Sequence, residues 1–280
     1  MGSNWENFLQ NQGEWQGSFT QVSSTGELLG STPSILSLEP LENDRAMRFR
    51  LRRFATDDYS QEPISDYQQE YRSLGRQIVF FDTGAFSKGS LQLSPISELG
   101  AEYGFVAGDR RLRCVQLFDL EGNFTSLTLI REFRSGTDAQ ERPPLTVEQL
   151  LGKWEGQAVT AYADWRNPDT YATSLEIKQI APNSIEQKLV YGDRVLNSNA
   201  TIEGNILNFT GGSQPRKILL LPDGASSNVP VKINWREPCF VEAGWLVTTT
   251  ERQRLIRSYN EKGEWISSTH IIERKVPFDS

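Results

Sequence analysis

The sequence predicts an all-β protein of two tandem antiparallel up-and-down barrels, each opened by a short helix. Three observations carry that expectation: motifs written twice at a constant offset, strand-period alternation in both copies, and tight-turn chemistry between the alternating runs. Gly13-Glu14-Trp15-Gln16-Gly17 returns as Gly152-Lys153-Trp154-Glu155-Gly156, shifted by 139 residues. Phe80-Phe81-Asp82-Thr83-Gly84-Ala85 returns as Leu220-Leu221-Pro222-Asp223-Gly224-Ala225, and Glu102-Tyr103-Gly104-Phe105 as Glu242-Ala243-Gly244-Trp245, both shifted by 140. Arg111-Leu112-Arg113 with Gly122-Asn123-Phe124 matches Arg252-Gln253-Arg254 with Gly263-Glu264-Trp265 at a shift of 141. Order and spacing held at four separate places read as one domain present twice.

Each copy begins with a capping box, Ser3-Asn4-Trp5-Glu6 and Thr146-Val147-Glu148-Gln149. There the first side chain accepts from an early backbone N–H and the fourth reaches back to the cap. The boxes predict helices of one or two turns over 4–10 and 147–151. Strand signals follow. Met47, Phe49 and Leu51 alternate with Arg48, Arg50 and Arg52, and Val229, Val231, Ile233 and Trp235 keep the same period of two. Glu121-Gly122-Asn123, Glu203-Gly204-Asn205, Pro222-Asp223-Gly224 and Lys262-Gly263-Glu264 punctuate the runs. About eight strands per copy are expected. The polar segment ending in Pro143-Pro144 suits neither helix nor ladder. The units are therefore expected over 1–138 and 145–280, with residues 139–144 as the linker.

A net charge of −7 and a pI near 5.0 argue against a general nucleic-acid binder. No run reaches the roughly 18 apolar residues of a membrane helix. The N-terminus lacks the basic and apolar regions of a signal peptide, so a cytoplasmic location is expected. Two cysteines at non-equivalent places, Cys114 and Cys239, do not form a disulfide framework, and with one histidine they do not supply zinc-ligand spacing. No nucleophile elbow, phosphate loop, dinucleotide fingerprint or zinc-protease motif is written in the chain. No catalytic residue is assigned.

A Gly-x-Trp after a short helix, with arginines on a late strand, resembles the calycin group of lipocalin-like barrels. Over the whole chain the sequence resembles the double-barrel proteins of the DUF3598 type from cyanobacteria and plastids, which are similar to the S-type phycobiliprotein lyases. Leu150-Leu151-Gly152-Lys153-Trp154-Glu155-Gly156-Gln157 is the closest approach to the lyase pattern. The resemblance implies that Trp15 and Trp154 close the bases of their barrels, covered by Arg111 or Arg113 and by Arg252 or Arg254. A guanidinium over an aromatic face contributes about 0.5–2 kcal/mol.

In the second copy Val241, Ala243, Trp245 and Val247 share one face; Ala101, Tyr103, Phe105 and Ala107 share the matched face in the first. These aromatic-bearing faces are expected to point into the barrels, whether the interiors are solid cores or pockets. The second copy holds tryptophans at 154, 165, 235, 245 and 265. Trp245, Ala243, Val247 and Trp235, with Tyr103 and Phe105 in the first copy, are accordingly the candidate ligand-binding residues. Arg48, Arg50 and Arg52 read either as a solvated outer face or as a ladder for a carboxylate or an acidic partner. His270 lacks any second ligand in the pattern and reads as a satisfied or surface histidine rather than an iron ligand. Cys114, beside Arg113, reads as a buried structural thiol.

The functional expectation is a non-enzymatic protein that binds an apolar or tetrapyrrole-like small molecule. It requires no cofactor, with a bilin or another apolar molecule as the candidate ligand. Two alternatives stand beside it: a bilin lyase or chaperone acting on phycobiliprotein subunits, and an interaction scaffold with filled barrels.

Overall fold

The computed structural model describes residues 2–212 and 214–277; the expected outer bounds at residues 1 and 280 lie outside the described residues. Helix α1 (Asn4–Leu9) and helix α2 (Val147–Leu150) each start at a complete capping box, on Ser3 with Glu6 and on Thr146 with Gln149. Among the described residues no helix is long and apolar enough to cross a membrane.

The first unit carries nine strands: β1 (Gly13–Ser23), β2 (Leu28–Leu41), β3 (Ala46–Arg53), β4 (Ser65–Tyr71), β5 (Ile78–Phe80), β6 (Phe86–Gly89), β7 (Leu99–Ala107), β8 (Arg110–Phe118) and β9 (Phe124–Arg134). They form an antiparallel meander in which β9 returns to pair with β1, Trp15 opposite Arg134. The second unit carries ten: β10 (Gly152–Tyr162), β11 (Asp169–Ala181), β12 (Ser184–Tyr191), β13 (Arg194–Glu203), β14 (Ile206–Phe209), β15 (Arg216–Leu220), β16 (Ala225–Pro230), β17 (Cys239–Leu246), β18 (Glu251–Tyr259) and β19 (Trp265–Lys275). These close completely, with Trp154 opposite Lys275 where β10 meets β19.

The two units share the meander and differ at one place. Residues 204–215 join β13 to β15 and contain β14, whereas only residues 72–77 join β4 to β5. The shorter connection has no room for an extra strand and its return. The first sheet therefore curls into a barrel with an unpaired seam between β4 and β5.

The repeated glycine pattern has a steric cause. A Cβ on Gly17 would stand 1.9 Å from the Arg131 carbonyl oxygen, and one on Gly156 would stand 2.4 Å from that of Ile272. Only glycine lets the first strand of each unit approach its last strand so closely.

Burial follows an unexpected layout. Trp15, Leu36, Leu38, Met47, Phe80 and Phe86 form a core inside the first barrel, and Trp154, Leu175, Ile177, Leu207, Phe209 and Leu246 one inside the second. A third, continuous core lies between the barrels. It joins Tyr103, Phe105, Leu112, Cys114 and Leu129 of one unit to Val241, Ala243, Trp245, Leu255 and Tyr259 of the other.

This corrects the expected strand faces. Ala243, Trp245, Tyr103 and Phe105 lie on the outer surfaces of their barrels and pack against the other barrel, with Val247 and Trp235 at the margin of the same core. Alternation shows which residues share a face but not on which side of the sheet that face lies. Here the apolar faces bury each other, and the charged faces of the same strands turn inward. Gln116 donates to Ser227 Oγ and to the Glu242 carbonyl at 2.8 Å each, and Tyr103 Oη donates to the Val241 carbonyl at 2.8 Å. The interface is thus buried and hydrogen-bonded like an interior.

Candidate functional site

Strand pairing places the arginine pairs of β8 and β18 beside a glutamate on β9 and β19. Arg111 Nη1 lies 2.7 Å from Glu132 Oε2, Arg113 Nη2 lies 2.8 Å from Glu132 Oε1, and Arg113 Nη1 lies 3.1 Å from Glu102. The second barrel repeats the cluster: Arg252 Nη2 lies 2.6 Å from Glu273 Oε2, Arg254 Nη2 lies 2.7 Å from Glu273 Oε1, and Arg254 Nη1 lies 3.1 Å from Glu242. Glu132 and Glu273 are completely enclosed. Burial pushes the Glu273 carboxyl up, but Arg252 and Arg254 outweigh it and hold it down to about 2. Glu132 is lowered for the same reasons, against the same desolvation. Burial also lowers Arg111, to about 10.

These clusters change the expected base of the first barrel. Trp15 is covered by Arg134, whose Cζ stands 4.4 Å from the ring centroid, while Arg111 and Arg113 are engaged with Glu132. Arg252 lies over Trp154 at 5.1 Å with Lys275 at 5.2 Å, and Arg254 is held between Glu273 and Glu242. The reason is register: Arg134 and Lys275 sit directly opposite Trp15 and Trp154 in the ladders. Each indole N–H donates to the main chain beside the helix, to the Asn11 carbonyl at 2.9 Å and to the Leu150 carbonyl at 2.8 Å. Glu132 and Glu273, absent from the expected site, carry a legible signal, since they recur at the same shift of 141 as the arginines.

Beside each cluster the barrel leaves space. In the first, a cavity of about 90 Å³ is walled by Phe8, Phe49, Tyr71, Leu74 and Phe86 and floored by Glu102, Arg111 and Arg113. In the second, a larger one of about 210 Å³ is walled by Tyr171, Leu189, Tyr191, Leu196, Ile256 and Ile271 and reaches Arg254, Glu242 and Thr173. Thr173 Oγ1 is buried without a hydrogen-bond partner. Arg216, stacked 3.5 Å over the Phe240 ring in the same wall, donates to Asn228 and to the Phe240 carbonyl and forms no ion pair among the described residues. Arg216, Arg252 and Arg254 against Glu242 and Glu273 leave the barrel interior with an excess of positive charge.

The other candidates fall outside these cavities. Arg48, Arg50 and Arg52 lie on the outer face of β3 in ion pairs with Glu39, Glu70, Asp66 and Glu14. Burial pushes the Cys114 thiol up to about 12 and the Cys239 thiol up to about 11, so neither is a ready nucleophile. Among the described residues no cluster of His, Cys, Asp and Glu could hold a metal ion.

His270 is buried between the barrels, 3.0 Å from Gln253 Oε1, with the Phe81 ring 5.3 Å away. Burial holds its pKa down to about 4, with Asp82 a smaller opposing influence. Because the folded state keeps the imidazole neutral while the unfolded chain protonates it below about 6.5, its contribution is complete above pH 6.5. It is lost as pH falls toward 4. The expected loss approaches about 3 kcal/mol, at 1.36 kcal/mol per unit. Urea melts between pH 7 and 4.5 should show it, and His270→Gln should flatten that slope; the chain's only histidine makes the comparison direct.

The geometry defines a class first: a double-barrel β-protein, one barrel closed and one seamed, whose interiors hold charged clusters beside apolar cavities. The chain belongs to the DUF3598 family. A protein of unknown function from that family in Nostoc punctiforme is 47% identical, with a TM-score of 0.92 over 99% of this chain and 100% of that one. Residues 1–137 match the N-terminal domain of DUF3598, and residues 141–276 match the C-terminal domain of biogenesis factor required for ATP synthase 1. The S-type phycobiliprotein lyase CPES from Guillardia theta is 12% identical, with a TM-score of 0.39 over 46% of this chain and 90% of that one. No curated protein matches the chain.

Proposed function

We propose that this protein is a non-catalytic binding protein that holds a small, largely apolar molecule with an anionic end inside the second barrel. The observation that carries the reading is the cavity of about 210 Å³, in which an apolar wall meets Arg254 and the unpartnered Thr173 hydroxyl. A buried hydroxyl without a partner costs about 1–3 kcal/mol, which a ligand oxygen would recover. Arg254 already spans Glu273 and Glu242, so Arg216, stacked on Phe240 without an ion pair among the described residues, is the charge that favours an anion over a neutral head group.

The cavity lies below the roughly 300–1,000 Å³ of sites for drug-sized ligands, so a medium-chain carboxylic acid suits it better than a tetrapyrrole. The tryptophan face expected to stack a bilin is sealed between the barrels. Bilin transfer and a phycobiliprotein partner therefore gain no support from the geometry.

Calorimetric titration with a medium-chain fatty acid, the alcohol of equal length and biliverdin tests the reading. The acid should bind best. Thr173→Val should weaken it several-fold without loss of stability, and Leu189→Trp, which fills the space, should abolish it. Failure of all three compounds to bind would overturn the reading and favour a second, that of an assembly scaffold. The match of residues 141–276 to the C-terminal domain of an ATP synthase biogenesis factor supports that second reading.

A further inference from the structure

We propose that the seam of the first barrel is a strand-acceptor site, taking an extended segment of a partner protein along the free edge of β4. The second barrel shows what occupies this place in a completed copy of the fold. There β14 lies between β13 and β15, pairing with both, and sends Leu207 and Phe209 into the core. Among the described residues the first barrel lacks the equivalent strand, and β4 ends the sheet with β3 as its only partner.

The two sides of the seam are not alike. The outer edge of β5 is closed by helix α1: Asn4 Nδ2 donates to the Ile78 carbonyl at 2.9 Å, the Phe80 N–H donates to Asn4 Oδ1 at 2.6 Å, and Asn7 Nδ2 donates to the Phe80 carbonyl at 3.2 Å. Among the described residues the β4 edge has no such hydrogen-bonded cover, and only Phe8 of α1 packs against its end, edge-on to Tyr71. Tyr67, on the inward face beside Phe49, remains 52% exposed, whereas Ala200 on the inward face of β13 is 2% exposed. An open edge with an apolar hollow beside it is the arrangement used in strand addition, where main-chain hydrogen bonds supply affinity and alternate side chains supply specificity.

The chemistry of the occupant follows from the two faces of β4. Inward positions of the added strand would meet Phe49, Tyr71 and Leu74 at the cavity of about 90 Å³, and so would be apolar. Outward positions would lie beside Gln68 and beside Asp66 and Glu70, which are already paired with Arg50 and Arg48, and so would be polar. The partner is thus a segment alternating apolar and polar residues, as Leu207, Asn208 and Phe209 do in β14. This inference is independent of ligand binding in the second barrel.

The probe is a synthetic peptide carrying residues 205–210 of this chain, Asn-Ile-Leu-Asn-Phe-Thr, flanked by lysines, added to the full protein. Fluorescence anisotropy should show saturable binding, and hydrogen exchange should show new protection at residues 65–71. Leu74→Glu, which places a charge at the hollow, should reduce affinity at least tenfold with an unchanged circular dichroism spectrum. A peptide with proline in place of its central leucine should not bind, because it lacks a ladder donor. Absence of protection at 65–71 would overturn the proposal. Concentration-dependent protection without peptide would also overturn it, assigning the edge to a second copy of this chain.

Discussion

Glu273→Gln is expected to destabilise the protein by about 3–5 kcal/mol, the cost of leaving buried charge without its partner. Among the described residues Arg252 has no other carboxylate in its ion pairs, while Arg254 keeps Glu242 at 3.1 Å. Glu132→Gln should cost a similar amount, since Arg111 loses its carboxylate while Arg113 keeps Glu102. Because the Glu273 carboxyl is held at about 2, its contribution is present above about pH 4.5 and lost as pH falls toward 2. Urea denaturation of both variants at pH 7 checks the expectation. A change under about 1 kcal/mol in either would mean that water reaches the cluster and screens it.

Trp245→Ala is expected to cost about 3–5 kcal/mol and to act on the junction of the barrels. The ring is fully enclosed, its N–H donates to the Asp223 carbonyl at 2.9 Å, Arg110 Cζ lies 4.9 Å from its centroid, and the Phe105 ring lies 6.2 Å away. Since these two rings come from different barrels, the double variant with Phe105→Ala should show a coupling of about 0.5–1.5 kcal/mol. Thermal unfolding of the wild type should be a single transition, because the core between the barrels is shared. Loss of ligand uptake by Trp245→Ala without loss of stability would restore the view that this face lines a binding site.

Much of the fold was legible in the chain. The capping boxes start helices where expected, because a cap is a local bargain between a side chain and a backbone three residues on. The turns at Gly204 and Gly263 carry positive φ values of 60° and 76° that glycine tolerates without strain. The candidate site was less legible. Arg252 and Arg254 meet Glu273 only through the β18–β19 register, and the cover on Trp15 is Arg134 rather than Arg111 or Arg113 for the same reason. The missing tenth strand could be suspected only from the shorter link at residues 72–77, a difference of spacing that the matched motifs on either side conceal.

The sequence by itself determined the duplication, the all-β class and the helix that opens each copy. It also determined which residues share a strand face, since caps, turns and the period of two all act over a few residues. The tertiary structure alone decided which face turns inward, that the first barrel keeps an open seam, and that arginine–glutamate clusters stand in the interiors beside Trp15 and Trp154. A face common to Tyr103 and Phe105, or to Ala243 and Trp245, can be buried by its own barrel or by another one. The free energy of removing apolar surface from water is the same in both cases, so only the packing of the two barrels distinguishes them.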